Sequence, residues 1–176
     1  MTHETIFAGF GGQGILFSGK VVAYAGMNEG LNVSHLPSYG PEMRGGTANC
    51  SVIVSSDDIA SPIITEPTSL VVMNGASLDK FEDAVIKGGK IFIDSTLISR
   101  KSHREDADVF YIPATKMATD MGIAKLANMI MVGKLIKETN MFTWDQLKDA
   151  ITKLVPASKQ SMLETNLKAL ETGYNY

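Results

Sequence analysis

Two short segments hold most of the residues able to recognise a ligand. The first is Gly9-Phe10-Gly11-Gly12-Gln13-Gly14, and the second is Pro37-Ser38-Tyr39-Gly40-Pro41-Glu42-Met43-Arg44-Gly45-Gly46. In the first, Gly11, Gly12 and Gly14 let backbone N–H groups turn toward an anion or a partner subunit at a helix N-terminus. Gln13 adds an amide that offers donor and acceptor together, useful beside a phosphate or carbonyl. In the second, Arg44 supplies a fork for a carboxylate or phosphate, Glu42 can orient it or bridge to another chain, and Tyr39 stands beside them. Ordering such loops is costly, each fixed glycine giving up roughly 0.5 to 1 kcal/mol more than alanine would, so they usually recognise something. Plainer readings stay open: a tight turn at the glycines, Gln13 facing solvent, and an internal Glu42–Arg44 pair.

Gly9-x-Gly11-x-x-Gly14 also satisfies the dinucleotide-binding pattern and stands between a predicted strand and a predicted helix. That fold wants an acidic side chain at the end of the second strand, where this chain has His35-Leu36-Pro37, and Glu29 falls before the strand. A loop facing an anion or a partner is therefore favoured over nicotinamide or flavin binding. The histidines His3, His35 and His103 lack metal-ligand spacing. The single cysteine, Cys50, excludes a disulfide framework within the chain, and no Cys-x-x-Cys is present for zinc or an iron–sulfur cluster. Cys50 alternates with Ala48, Val52 and Val54 and reads as a buried hydrophobe on a strand. A serine nucleophile elbow, a Walker loop and a zinc-deaminase pattern are absent.

The elements that must position these loops follow from periodicity. Glu4 to Ala8 reads as a strand entering the glycine loop, followed by a helix whose Ser18, Gly19, Ala23, Ala25 and Gly26 permit close approach to a sheet. Asn32 to Leu36 and Thr47 to Ser55 read as strands on either side of the second loop. Leu70 to Met73 and Lys90 to Ile93 have the continuous apolar character of strands covered on both faces, and Asp108 to Ile112 is a further strand. Between the first two of these, Leu78, Phe81 and Val85 mark a helix that Gly88-Gly89 stops. The stretch Ala124 to Ile136 is apolar on most sides and must be buried in this core or a partner's, which suggests obligate association. Thr143 and Gln146 have capping-box form before a helix that Pro156 ends, and a last helix carries Leu163, Leu167, Leu170 and Tyr174. The expected fold is α/β, a three-layer sandwich around a mostly parallel or mixed sheet with a helical C-terminal tail. In such sheets ligands gather at the carboxyl ends of strands, where both loops, Asn74 and Asp94 all fall. Helix-cap or turn roles are the plainer readings of Asn74 and Asp94.

A chain of 176 residues fits one domain, 1–176. Its formal charge of -3, with lysine and arginine scattered, gives no basic stripe for nucleic acid and no polybasic arm for a membrane surface. Met1 to Ala8 has no signal-peptide form and no apolar run suits a membrane span, so the expected location is cytoplasmic.

With both loops in hand, the chain resembles the gamma subunit of the 2-oxoacid:ferredoxin oxidoreductases, thiamine-diphosphate enzymes that oxidatively decarboxylate 2-oxoacids onto coenzyme A. The resemblance rests on the glycine loop, on Ser38-Tyr39-Gly40-Pro41-Glu42-x-Arg44-Gly45-Gly46, on Asp58-Ile59-x-Ser61-Pro62, on Ala127-Asn128, and on Glu164-x-Asn166-x-x-Ala169-x-x-x-Gly173. It implies a noncatalytic module, inactive alone, that works with alpha and beta subunits and a ferredoxin-like delta subunit. Thiamine diphosphate, magnesium and [4Fe-4S] clusters would belong to those partners, with coenzyme A as co-substrate and ferredoxin as acceptor. The form of the second loop is similar to that of the 2-oxoglutarate and branched-chain members, and 2-oxoglutarate is favoured. Gly11, Gly12, Gln13, Gly14, Tyr39, Glu42 and Arg44 are the candidate binding residues.

Overall fold

In a computed structural model that describes residues 1–38 and 47–176, the alternation read from the sequence becomes a single six-stranded sheet. The chain runs β1 (Thr2–Gly9), α1 (Ile15–Asn28), β2 (Asn32–Ser38), β3 (Ala48–Ser55), β4 (Ser69–Val72), α2 (Gly75–Phe81) and β5 (Lys90–Asp94). It continues through β6 (Asp108–Ile112), α3 (Ala114–Asp120), α4 (Ala127–Thr139), α5 (Trp144–Leu154) and α6 (Gln160–Tyr174). The strand order is β2-β3-β1-β4-β5-β6. β1, β4, β5 and β6 are parallel neighbours, whereas β3 is antiparallel to both β1 and β2. Every strand except β3 therefore points the same way. The glycine loop, Ser38, Asn74 and Asp94 leave one sheet edge together, and β3 begins there.

Side chains alternate across the strands into two cores. Phe7, Cys50, Val52, Val71, Phe92 and Ile112 pack with α1, α3, α4, α5 and α6 on one face. Ile6, Ala8, Leu70, Val72, Ile91 and Ile93 pack with Leu78, Val85 and Ile98 on the other. β4 is buried along its whole length, as its unbroken apolar run requires. The small residues of α1 let the helix sit close to the sheet: a Cβ at Gly19 would lie 2.5 Å from Cys50 Sγ, and one at Gly26 would lie 2.8 Å from Val33 Cγ2. Burial between these elements pushes the Cys50 thiol up to about 12, making it a packing group and not a nucleophile.

Two helices differ from expectation. α2 stops at Phe81, and Glu82–Ala84 tightens into a 3₁₀ turn before Val85 leaves in an extended conformation. The carboxylate of Glu82, only 1% exposed, is drawn into the core by Arg100, by Ser102 Oγ at 2.8 Å and by His103 Nδ1 at 3.1 Å. The apolar stretch predicted from residue 124 begins as a 3₁₀ turn, Ala124–Leu126, and α4 proper starts at Ala127. Met129, Ile130, Met131, Val132, Leu135 and Ile136 are all fully buried within this chain. The apolar girth of α4 is thus consumed by its own core, against the sheet and α6, and gives no reason to expect a partner there. At α5 the capping box is complete: Thr143 Oγ1 accepts from Gln146 N at 3.2 Å, and Gln146 Oε1 accepts from Thr143 N at 2.8 Å.

Candidate functional site at the carboxyl edge of the sheet

The glycine loop is built by what holds it from behind. Phe10 N donates to Gln13 Oε1 at 2.6 Å, and Gln13 Nε2 donates to the Met73 carbonyl at 2.9 Å, which pins the loop to the end of β4. One N–H and one lone pair of the Gln13 amide are engaged inside the protein, so its side chain is held in place and does not simply point to solvent. Gly9 must lack a side chain for this clasp, because a Cβ there would lie 2.5 Å from Gln13 Oε1. Gly12 and Gly14 have φ of 90° and 76°, a conformation that side chains resist.

Gly14 is the N-cap of α1, and no side chain caps the helix. Its carbonyl accepts from Ser18 N at 3.0 Å, from Ser18 Oγ at 3.2 Å and from Asn128 Nδ2 at 3.0 Å. The first N–H groups of a helix have no intrahelical partner. With no acidic residue in the first turn of α1, the positive end of the helix dipole is left uncompensated there. Phe10, Gly11, Gly12, Ile15, Phe17 and Ala48 line a cavity of about 340 Å³ in front of this turn, and Phe10 is 45% exposed. The place suits an anionic group carried on an apolar or aromatic body.

Ser38 pairs with Asn49 across the sheet, and Ala48 pairs with Gly9, so the chain leaves β2 and re-enters β3 beside the glycine loop. Tyr39, Glu42 and Arg44 lie outside the described residues. Of the other residues at this edge, Asn74 caps α2, its Oδ1 accepting from Ser77 N at 2.8 Å. Asp94 is fully buried, accepting from Thr96 N at 3.1 Å and from Thr115 Oγ1 at 2.5 Å, and it ties the end of β5 to the start of α3. Both take the structural role. Glu29 sits at the far end of α1, where it accepts from Gln146 Nε2 at 2.6 Å, and β3 separates β2 from β1. The adjacent parallel strand with a terminal acid, needed to hold a dinucleotide ribose, is not what this sheet provides.

Asn128 is the contributor that motif reading leaves without a role. It is 3% exposed on α4 and reaches across to the loop carbonyl. The available signals were its place in the Ala127-Asn128 pair that carries the family resemblance and a lone amide at the head of the apolar run Met129 to Val132.

Residues 4–176 match the family described as pyruvate ferredoxin/flavodoxin oxidoreductase. The chain belongs to this family. It is 39% identical over 167 residues to the ketoisovalerate oxidoreductase subunit VorA of Methanothermobacter thermautotrophicus, covering 94% of this chain and 34% of that one. The chain thus spans about a third of the length of that relative. It is 32% identical over 177 residues to the 2-oxoglutarate synthase subunit KorC of Methanocaldococcus jannaschii, covering 99% of this chain and 93% of that one. Among solved structures, the keto/oxoacid ferredoxin oxidoreductase gamma subunit of Geobacter sulfurreducens superposes with a TM-score of 0.85 at 26% identity, over 98% of this chain and 96% of that one. The mixed six-stranded α/β fold with its closing helix is the fold of that gamma subunit.

Proposed function

We propose that this chain is the noncatalytic gamma subunit of a thiamine-diphosphate-dependent 2-oxoacid:ferredoxin oxidoreductase that decarboxylates a 2-oxoacid, forms the acyl-coenzyme A and passes the electrons to ferredoxin. The observation that carries the reading is a glycine loop clasped from behind by Gln13 and Asn128, with its uncapped helix turn facing outward at the carboxyl edge of the sheet. Gly11, Gly12 and Gly14 then face the interior of the assembly, near coenzyme A, and Arg44 with Tyr39 and Glu42 completes that surface. Gln13 serves it as a clasp. Alpha and beta subunits and a ferredoxin-like delta subunit supply thiamine diphosphate, magnesium and the [4Fe-4S] clusters. The complex works in the cytoplasm. No helix among the described residues is long and apolar enough to cross a membrane.

The favoured substrate is 2-oxoglutarate, supported by the form of the second loop and by a KorC relative matched over 93% of its length. The branched-chain reading is kept as a second one because the VorA relative is the more identical, at 39%. The test is turnover with coenzyme A and a viologen acceptor, given 2-oxoglutarate or ketoisovalerate in parallel. The purified chain should be inactive and the complex with its partner subunits active. Turnover by the chain alone would sink the noncatalytic assignment. Arg44→Ala should weaken an anion contact by about 1.5 to 3 kcal/mol, read as a raised coenzyme A KM or as dissociation of the complex. Gly12→Val should do more, because valine resists a φ of 90°. If both variants assemble normally with unchanged kinetics, the loops are structural only.

A further inference from the structure

The hydrogen bond from Asn128 does more than join two helices, because of which peptide it grips. The Gly14 carbonyl and the Ile15 N–H belong to one planar peptide unit. Three donors converge on that carbonyl: Ser18 N at 3.0 Å, Ser18 Oγ at 3.2 Å and Asn128 Nδ2 at 3.0 Å. Only one of them comes from outside α1, and it arrives from a helix packed deep in the core. Fixing the carbonyl toward Asn128 turns the N–H on the opposite side of the same plane toward the cavity in front of α1, which Gly12, Gly14 and Ile15 help to line. Donors on the carbonyl also polarise the peptide and strengthen its N–H as a donor.

The amide is held at a cost that packing alone does not explain. Asn128 is 3% exposed and surrounded along α4 by apolar side chains; its Nδ2 also donates to Ser18 Oγ at 3.3 Å, yet its Oδ1 finds no partner among the described residues. A leucine or methionine would fill similar space without burying an unpaired acceptor. Gly14 is shaped to the same contact: a Cβ there would overlap Asn128 Nδ2 and lie 2.8 Å from Asn128 Cγ.

We infer that Asn128 is a positioning residue for the glycine loop, holding the Gly14–Ile15 peptide so that the Ile15 N–H is aimed at a phosphate of coenzyme A. The inference rests on the reading of the loop given under Proposed function. The test compares kcat and coenzyme A KM in the purified multisubunit complex for wild type, Asn128→Asp, Asn128→Ala, Leu135→Ala and Gly12→Val. Asn128→Asp keeps the size of the side chain and replaces its donor with an anionic acceptor facing the Gly14 carbonyl. Both Asn128 variants should raise the coenzyme A KM about tenfold, the loss of one modest hydrogen bond, with kcat kept within about twofold. Leu135→Ala removes a fully buried side chain from the same helix away from the loop. It should lower the melting temperature at least as far and leave KM unchanged. If Gly12→Val raises the coenzyme A KM and neither Asn128 variant does, Asn128 is structural only and the inference falls. If Gly12→Val leaves KM unchanged as well, the loop reading fails and takes this inference with it. Should the aspartate variant not assemble, the uncharged alanine variant decides.

Discussion

The crossing of α4 and α6 sets a measurable limit on side-chain size. α4 and α6 meet through Gly133 and Gly173, each against the other helix's backbone. A Cβ at Gly173 would overlap the Ile130 carbonyl oxygen and lie 2.6 Å from Ile130 C, and one at Gly133 would overlap the Leu170 oxygen and lie 2.8 Å from Tyr174 N. A carbon needs about 3.3 to 3.6 Å from a carbonyl oxygen, and backbone cannot swing aside as a side-chain tip can. Gly173→Ala therefore forces the helices apart by about 1.5 Å, more than the gap of about 1 Å that already forfeits roughly half of each contact's dispersion energy. The buried α6 residues Leu163, Ala169 and Leu170 share that loss. Overpacking of about 3 kcal/mol plus about 1 kcal/mol of lost packing, less about 1 kcal/mol regained from alanine's helix propensity, leaves a net cost of about 3 kcal/mol. In a chain of 176 residues this lowers the melting temperature by about 6 to 12 °C. Gly75→Ala is the matched control, since its Cβ would meet nothing within 4 Å and its φ is not positive. The double variant Gly133→Ala/Gly173→Ala should cost less than the sum, because one separation relieves both clashes. Calorimetry on wild type and the four variants, the single Gly133→Ala included, decides the matter. A Gly173→Ala chain melting within about 2 °C of wild type would refute the argument.

Further outcomes follow from two buried groups, one carboxylate and one thiol. Glu82→Ala should cost about 2 kcal/mol by urea denaturation, below the full cost of breaking a buried pair because Arg100 keeps Asp79 and can rehydrate; a loss under about 0.5 kcal/mol would show that the carboxylate does not anchor the turn. Cys50 should resist thiol reagents in the native chain at pH 8, its thiol being pushed up to about 12 from 9.0. Because the native thiol keeps its proton where the unfolded one loses it, the stability it contributes is whole below pH 9.0 and declines as pH rises toward 12. Cys50→Ala should flatten that alkaline limb, and an unchanged slope would count against it.

Strands and caps were legible because their signals are local. The apolar run of β4, the period-two alternation around Cys50 and the Thr143–Gln146 box each state their structure within a few residues, and each stands in the fold. What could not be read was set by contacts distant in sequence. Nothing near Gln13 in sequence shows that Met73 takes an N–H of its amide, and nothing near Asn128 shows that the Gly14 carbonyl lies beside it. α2 ends early for the same reason: its periodicity runs on to Val85, but Glu82 is pulled inward by a loop some twenty residues later. For α4 the pattern showed complete burial and could not say by what. The partner proved to be α6, through glycines whose value lies in absent atoms.

The reversed strand β3 gives the glycine loop a different meaning from the one its spacing suggests. In a dinucleotide-binding sheet the second strand lies beside the first and ends in an acid, so the glycine turn and the ribose contact share one crevice. Here β3 runs back between β1 and β2, setting Ala48 against Gly9 and Asn49 against Ser38. The place an adjacent second strand would occupy is filled by the start of β3. Ser38 at the end of β2 and Ala48 at the start of β3 both stand at this same edge as the glycine turn. The register is firmly set, since a slip of one residue would carry Cys50, Val52 and Val54 to the opposite face and lift them from α1. The end of β2 and the start of β3 therefore share one edge of the sheet with the glycine turn because a single strand is antiparallel. The same reversal that removes the dinucleotide crevice brings Ser38 and Ala48 to the sheet edge where Gln13 and Asn128 hold the glycine loop in place.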